Sequence, residues 1–375
     1  MSRIASPWFV FALALSFLSP INTNAQNKSI SGAVFVMTNA ADKNEVLSYS
    51  RSADGSLQPA GTFATGGRGS GGGNDPLGSQ GSLTLSQDRS LLFAVNAGSG
   101  EVSVFRVRGA ELALTQHLPS GGSEPVAVAQ HGSLVYVLNA GGTSGVVGFF
   151  LAHGRLTPIP NSLHFLSTGT SGAASLAFSP DGRFLAVTEK ATNSIDVFGV
   201  EGDGTLSKIV VNPSADPGVF AVTFAPSGVL LAAETGPAGG SNASTVSSYA
   251  VSANGTLAPI STGVPTLGNA NCWNAVTPDG RFVYDSNAAS ANIAGFAIGT
   301  DGSLTALPGT VVGSNPAGAT NLDIAVSSDS KFLYTLNSGN GTVGIFAIQP
   351  DGTLNSVGAV GGVTPKAGFN GIAAN

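Results

Sequence analysis

Residues 174–210 read ASLAFSPDGRFLAVTEKATNSIDVFGVEGDGTLSKIV and contain the unit from which most of the chain is built. Short apolar runs alternate in this unit with turns such as Ser179-Pro180-Asp181-Gly182. Asp-Gly between two apolar runs indicates a hairpin, because Gly accepts a positive φ and the Asp side chain bonds back to the backbone. The four runs ASLAF, FLAVTE, SIDVFGV and LSKIV therefore predict four strands that form one antiparallel blade.

The unit recurs along the chain. A turn of the form x-Asp/Asn-Gly-x-Leu lies at residues 53–57, 202–206, 253–257, 300–304 and 350–354, with degenerate copies at 108–112 and 152–156. A second motif is an apolar run that ends at Asn39, Asn96, Asn139, Glu189, Glu234, Asn287 or Asn337. Each third strand also carries one aromatic residue, which we expect to pack between blades: Tyr49, Phe105, Phe149, Phe198, Tyr249, Phe296 and Phe346. A period of about 50 residues repeated in this way predicts seven blades.

The two ends of the repeat array complement each other. The array begins at residues 33–39, AVFVMTN, which correspond to the second strand of a unit, and ends at residues 369–375, FNGIAAN, which correspond to a first strand. One blade assembled from both ends hides the edges that an open array would expose. The sequence thus predicts an all-β, seven-bladed β-propeller of four-stranded antiparallel blades, closed by the C-terminal strand joining the N-terminal blade. We expect residues 26–375 to form this single domain.

Residues 1–25 have the pattern of a signal peptide. A basic residue precedes an apolar run of about 11 residues, and a small-x-small site ends at Ala25. The run is shorter than the ~20 residues that a membrane-spanning helix needs. We therefore expect export to the periplasm or the extracellular space, cleavage after Ala25 and no membrane insertion.

Composition and charge limit the kinds of partner and cofactor that we expect the chain to bind. The net charge is −6 and no Lys/Arg cluster occurs, so the chain has no electrostatic footprint for nucleic acid. The run Gly67-x-Gly69-x-x-Gly72 is not followed by a helix pattern, and we interpret it as part of a long loop that lines the channel rather than as a dinucleotide site. We expect a monomer without a cofactor, and no motif supports a divalent cation in the channel.

The units at residues 179–189 and 277–287 resemble the lactonase family of seven-bladed propellers, which includes the bacterial 6-phosphogluconolactonase type and the fungal carboxymuconate-lactonizing type. The resemblance implies lactone chemistry at the mouth of the central channel, with His and Arg on inner strands and a Glu after a second strand. Only Glu189 matches that pattern, since Ala174 and Ser175 stand where the family has Arg and His. The four histidines of the chain fall in outer strands or turns, which excludes a lactonase that uses the family's His.

Glu189 and Glu234 depart from the Asn that ends the second strand in the other five units. Two neighbouring carboxylates at a channel mouth can raise one pKa and supply a general base, so we predict them as catalytic residues. The predicted substrate-binding residues are Arg68, Glu124, Lys190, Trp273 and Asp323. Two functions stay open: an exported lactonase-like enzyme for a small sugar or organic-acid lactone, and a non-catalytic exported propeller that binds a carbohydrate-type ligand or a protein.

Overall fold

A computed structural model describes residues 1–3 and 30–375. Residues 4–25 of the predicted signal peptide and its cleavage site lie outside these residues. In the described part, the chain forms 29 strands and seven separate antiparallel sheets, and no helix there is long and apolar enough to cross a bilayer. The predicted seven-bladed propeller is confirmed.

Each sheet is one blade, and its strands run from the channel outward. Blade 1 has the order β29 (Ile372–Ala374), β1 (Ile30–Met37), β2 (Glu45–Ser52), β3 (Leu57–Ala64). Blade 2 has β4 (Leu83–Leu85), β5 (Leu91–Asn96), β6 (Glu101–Arg108), β7 (Glu111–Pro119). Blade 3 has β8 (Ser123–His131), β9 (Leu134–Gly141), β10 (Gly145–Ala152), β11 (Arg155–Pro158), with the short β12 (His164–Phe165) also paired to β10.

The other four blades follow the same order. Blade 4 has β13 (Ala173–Phe178), β14 (Phe184–Glu189), β15 (Ser194–Gly199), β16 (Val210–Pro213). Blade 5 has β17 (Val219–Phe224), β18 (Leu230–Glu234), β19 (Thr245–Val251), β20 (Leu257–Pro265). Blade 6 has β21 (Asn271–Val276), β22 (Phe282–Asn287), β23 (Asn292–Ile298), β24 (Leu304–Ser314). Blade 7 has β25 (Asn321–Val326), β26 (Phe332–Asn337), β27 (Thr342–Ile348), β28 (Leu354–Val360).

Blade 1 closes the ring as predicted. Its innermost strand β29 comes from the end of the chain and pairs antiparallel with β1, in the register Val34↔Ala374, Phe35↔Ala373 and Val36↔Ile372. The innermost strands contact their neighbours in an unbroken circle, including β25 with β29 and β29 with β4. The closed ring leaves each innermost strand with one edge toward the central channel.

The blades are held together by aromatic side chains and turn glycines. The seven predicted aromatic residues of the third strands are all buried, with exposed fractions of 3% or less. Tyr334 on β26 also donates a hydrogen bond of 3.2 Å to the carbonyl oxygen of Gly55, in the Asp-Gly turn of the next blade. Gly55 has φ +84°, and a Cβ there would lie 2.3 Å from the ring of Phe332, so this turn requires glycine.

Candidate functional site

The ring has two different faces. On the face that we call the loop face, connections run from the outermost strand of one blade to the innermost strand of the next. On the opposite face, the turn face, short turns join the first and second strands of blades 2 to 7. The central channel runs between the two faces, so a ligand could reach it from either side.

A long connection closes the channel at the loop face. This crossing loop, residues 65–82, joins β3 to β4 and reaches across to blade 6, where the Trp273 indole N–H donates 2.9 Å to the carbonyl oxygen of Ser79. The Gln80 side chain donates to the carbonyl oxygen of Asn274 at 2.8 Å and accepts from its backbone N–H at 3.0 Å. Blade 6 lies nearly opposite blade 2 in a ring of seven, so these bonds span the channel. The predicted position of this glycine-rich loop at the channel is therefore observed.

Lys190 and Asn370 hold the crossing loop from outside it, Lys190 through Gly78 and Asn370 through the loop residue Asp75. The Lys190 ammonium donates 2.5 Å to the carbonyl oxygen of Gly78 and lies 4.9 Å from the centre of the Phe220 ring. Burial lowers the pKa of Lys190, while the nearby Asp75 carboxylate opposes that shift. Burial also disfavours the charged form of Asp75 and so raises its pKa. The Asp75 carboxylate accepts hydrogen bonds from Asn370 and from the Gly78 N–H. This end of the channel thus holds two opposite charges, both partly desolvated.

Below the crossing loop, the channel contains two adjoining cavities of about 330 and 290 Å³ that share Gln80, Gly81 and Thr84 in their lining. The larger one lies among the innermost strands of blades 7, 1 and 2 and includes Asp323 and Arg89 in its wall. Its size is within the usual range for small-molecule sites.

Asp323 is the titratable carboxyl group of this cavity. It is 3% exposed and accepts hydrogen bonds from the N–H groups of Ile372, at 3.2 Å, and Ile324, at 3.0 Å. Burial raises the pKa of Asp323 to about 7, and the charge of Asp75 acts in the same direction. A carboxyl group that titrates near neutrality inside a cavity is a candidate general base.

The sequence predicts Glu189 at the channel mouth; in the structure its side chain lines neither of the two channel cavities. Its side chain is fully buried and accepts hydrogen bonds from Ser167, through N–H and Oγ at 2.7 and 2.5 Å, and from Thr192 at 2.6 Å. Burial by itself would raise the pKa of Glu189, but hydrogen bonds from Asp196, Ser167 and Thr192 outweigh burial and lower it. The neighbouring Asp196 is buried as well, and burial together with Glu189 raises its pKa to about 8. The lowered pKa of Glu189 and the raised pKa of Asp196 thus leave the proton on Asp196 at neutral pH.

Glu234 is enclosed in the same way. Ser214, Thr245 and Ser247 donate to its two oxygens at 2.7, 2.9 and 2.8 Å, and burial raises its pKa. Glu234 and Glu189 occupy equivalent strand ends on adjacent blades, as predicted, yet each is bonded within its own polar cluster rather than to the other.

These strand ends form a repeated latch. In blades 2 to 7 a residue at the end of the second strand, or two residues before the end in blade 3, is hydrogen-bonded to a residue of the connection that enters the same blade. The six pairs are Thr65–Asn96, Ser120–Asn139, Ser167–Glu189, Ser214–Glu234, Thr266–Asn287 and Asn315–Asn337. Asn and Glu therefore serve the same structural purpose here. The catalytic role of the two glutamates stays a prediction without support from this geometry.

The five predicted substrate-binding residues divide into two groups. Lys190, Trp273 and Asp323 converge around the crossing loop and the inner end of the cavity. Arg68 and Glu124 are exposed on the loop face and do not line the cavity. Sequence reasoning missed the electrostatic coupling of Asp75 to Lys190 and Asp323, and it missed the position of Arg89 in the cavity wall. Among residues 1–3 and 30–375, no three His, Cys, Asp or Glu side chains are placed to share a metal ion.

Comparison with known proteins agrees with the fold and with the resemblance found in the sequence. Residues 152–235 match the family described as Lactonase, 7-bladed beta-propeller. None of the curated proteins matches the chain.

Several solved structures have the same fold. A Bacteroides uniformis protein provisionally named a 6-phosphogluconolactonase is 21% identical, with a TM-score of 0.70 over 92% of this chain and 99% of that one. A periplasmic gluconolactonase from Pseudomonas aeruginosa is 17% identical, with a TM-score of 0.67 over 92% and 99% of the two chains. A functionally unknown protein from Desulfotomaculum acetoxidans is 15% identical, with a TM-score of 0.66 over 91% and 98%. The chain is thus a seven-bladed β-propeller that resembles the lactonase propellers and matches their family across residues 152–235.

Proposed function

We propose that the protein is an exported lactonase-like enzyme that hydrolyses a small sugar or organic-acid lactone inside the central channel, with Asp323 as the general base. The observation that carries this proposal is the position of Asp323, a buried carboxyl group with a pKa of about 7 in the wall of a cavity of about 330 Å³. The match of residues 152–235 to the lactonase family supports the reaction class. The periplasmic gluconolactonase among the similar folds is consistent with export, which the N-terminal sequence predicts.

The proposed reaction needs few groups. The Asp323 carboxylate takes a proton from a water molecule, whose oxygen attacks the lactone carbonyl carbon. The ring C–O bond then breaks, and the leaving alkoxide takes the proton from Asp323, which gives the hydroxy acid and restores the carboxylate. A base with a pKa near the working pH combines a useful ionised fraction with sufficient basicity.

The crossing loop supplies the closed end of the site. Bonds to Lys190 and Trp273 fix the loop over the cavity. Closing one end limits the water around the reacting groups, and the charge of Asp75 within the loop helps to keep the pKa of Asp323 high. We assign positioning roles to Lys190 and Trp273, which deepens their predicted role in substrate binding.

The test compares two buried carboxyl groups. Asp323→Asn removes the proposed base, whereas Asp285→Asn removes a carboxyl group that is equally buried, has a pKa raised to about 8 by burial, and does not line the channel cavities. With a panel of γ- and δ-lactones, we expect Asp323→Asn to lose roughly 10²-fold or more in kcat/KM, the usual contribution of a general base. The rate of the parent protein should rise with pH through about 7. Equal losses in both variants at matched folded fractions would refute the role of Asp323.

The sequence-based prediction for Glu189 and Glu234 is tested in the same assay. If Glu189→Gln abolishes turnover in a protein that keeps its parent melting temperature, catalysis belongs to Glu189. The latch geometry leads us to expect the opposite, a change in stability with turnover retained in the folded fraction.

A non-catalytic binding propeller is the second candidate, and the closure of the loop face favours it. The crossing loop covers the channel mouth at which the resemblance to the lactonase family places the chemistry. Hydrogen bonds from Trp273 and Lys190 to the loop, and from the loop residue Gln80 to blade 6, hold it there. This function predicts no turnover of any lactone by the parent protein, together with saturable binding of a small ligand in the channel.

A further inference from the structure

Arg89 occupies a backbone position that other blades give to glycine. In the turn between the first and second strands, the N–H of this residue donates to the carbonyl oxygen three residues earlier, and φ is positive. The residue is Gly182, Gly228 or Gly280 in blades 4 to 6, with φ between 71° and 89°, and Ser330 in blade 7. Arg89 has φ 59°, a left-handed conformation that disfavours residues with a Cβ. Local backbone preference therefore does not explain an arginine here.

The arginine of the blade 2 turn also lies in a different place from the arginines of the blade 4 and blade 6 turns. In blades 4 and 6, an arginine follows the turn glycine and stays on the surface, where Arg183 lies 5.4 Å over the Phe184 ring and Arg281 bonds to the carbonyl oxygen of Pro350. In blade 2 the arginine comes one residue earlier, is half-buried and lines the turn-face end of the larger channel cavity. The one-residue shift thus moves a guanidinium from the outer surface into the channel wall.

The positive charge of the Arg89 guanidinium is not balanced by a carboxylate of its own. In the described part of the chain, its side chain makes no hydrogen bond or ion pair. The carboxylate that acts on it is Asp329, which already bonds to the buried Arg51 at 3.2 Å and to Ser327 at 2.6 Å. Asp88, next to Arg89 in sequence, is bonded to Ser86 and Ser90 within its own turn. Two guanidinium groups therefore face one Asp329 carboxylate, which leaves room for a second anion.

The cavity offers complementary surroundings for such an anion. Its walls combine the hydroxyl-bearing Thr84, the apolar Leu85 and Val326, and the channel-facing edges of β25 and β29. An edge strand presents backbone N–H and C=O groups without partners. Arginine binds planar oxyanions through paired hydrogen bonds, and the carboxylate has this geometry.

We propose that the turn-face mouth of the channel is a binding site for a small organic carboxylate, held by Arg89, with the remainder of the ligand inside the cavity. The proposal rests in part on the proposed function, because it names the ligand class of the same cavity. Its test measures binding without turnover, so either proposal can fail while the other holds.

The test uses Arg89→Gly, which installs the residue that blades 4 to 6 have at this position. This variant relieves the left-handed strain, so its melting temperature should equal or exceed that of the parent. Arg281→Ala is the matched control, because it removes an arginine from the equivalent turn of blade 6 on the outer surface. The probes are D-gluconate, inorganic phosphate and the neutral D-glucose, with affinities measured by isothermal titration calorimetry.

We expect D-gluconate to bind the parent and Arg281→Ala equally and to bind Arg89→Gly about 10-fold or more weakly, the usual effect of a lost charged hydrogen bond. D-Glucose should bind all three proteins weakly and to the same extent. Equal gluconate affinity in the parent and Arg89→Gly would overturn the proposal, as would the absence of gluconate binding to the parent. Tighter binding of phosphate than of gluconate would overturn the assignment to carboxylates.

Discussion

Removal of the closing strand should unfold the whole propeller rather than fray one end. Deleting residues 369–375 takes away β29, with the buried side chains of Phe369 and Ile372, its ladder with β1 and three further backbone hydrogen bonds that join this segment to β1. Full burial of a large apolar side chain stabilises by about 1.5–3 kcal/mol and a hydrogen bond by about 0.5–1.5 kcal/mol net. The combined loss is therefore about 5–10 kcal/mol, comparable with the ~5–15 kcal/mol that stabilises a typical folded protein. The deletion also exposes the edge of β1 to solvent.

The assay is urea denaturation followed by tryptophan fluorescence and circular dichroism. We expect the truncated protein to lose its cooperative transition or to aggregate, and the milder Ile372→Ala to lose about 2–5 kcal/mol. Val357→Ala is the control, because Val357 lies on the outermost strand β28 and is 41% exposed, so its loss should be below about 0.5 kcal/mol. A truncated protein with the parent midpoint and slope would show that β29 does not close the ring.

Three further predictions follow from single features. Asp196→Asn should stabilise the protein at pH 8 and flatten the pH dependence of its stability. The pKa of Asp196 is raised from 3.8 to about 8 in the folded state, so the parent protein loses stability as pH rises between those values. Denaturation midpoints at pH 5 and 8 test this, and a difference between the two midpoints that is the same in the variant and the parent would contradict it. Tyr334→Phe should destabilise by about 1 kcal/mol through loss of its bond to the Gly55 carbonyl, and a thermal melt equal to that of the parent would argue against this contact. Secreted material should begin at Gln26 by intact mass, and retention of Met1 would exclude the predicted cleavage.

The architecture could be predicted because every blade repeats the same local rules. The Asp-Gly turns, the aromatic residue of each third strand and the strand shared between the ends are all visible as spacing in the sequence, and the structure confirms each of them. Closed repeat arrays are determined by nearest-neighbour packing, which repeats along the chain as the sequence does.

The direction of Glu189 could not be obtained from that spacing alone. Position at the end of a second strand indicates the face of the ring, but the direction of the side chain depends on Ser167 and Thr192, which enclose it. A signal was present in the sequence, since a Ser, Thr or Asn recurs before six of the blades in phase with the latch residue. Asp75 and the span of the crossing loop carried no such signal, because Asn370 lies 295 residues from Asp75 and Trp273 lies 194 residues from Ser79.

Arg89 is the opposite case, because the sequence itself shows a break in the repeat at this residue and sequence reasoning missed it. Residues 86–90 read SQDRS where residues 179–183 read SPDGR, so the arginine stands one place early. The departure acquires meaning only once the structure shows that this turn position requires a positive φ and borders the channel.

A crystal structure of the parent protein with saturating D-gluconate tests the central claim, that the channel between the crossing loop and Arg89 is the ligand site. We predict density in the channel, with the gluconate carboxylate about 3 Å from the Arg89 guanidinium. Gluconate bound only outside the crossing loop on the loop face, or a channel that contains solvent alone under these conditions, would contradict the account.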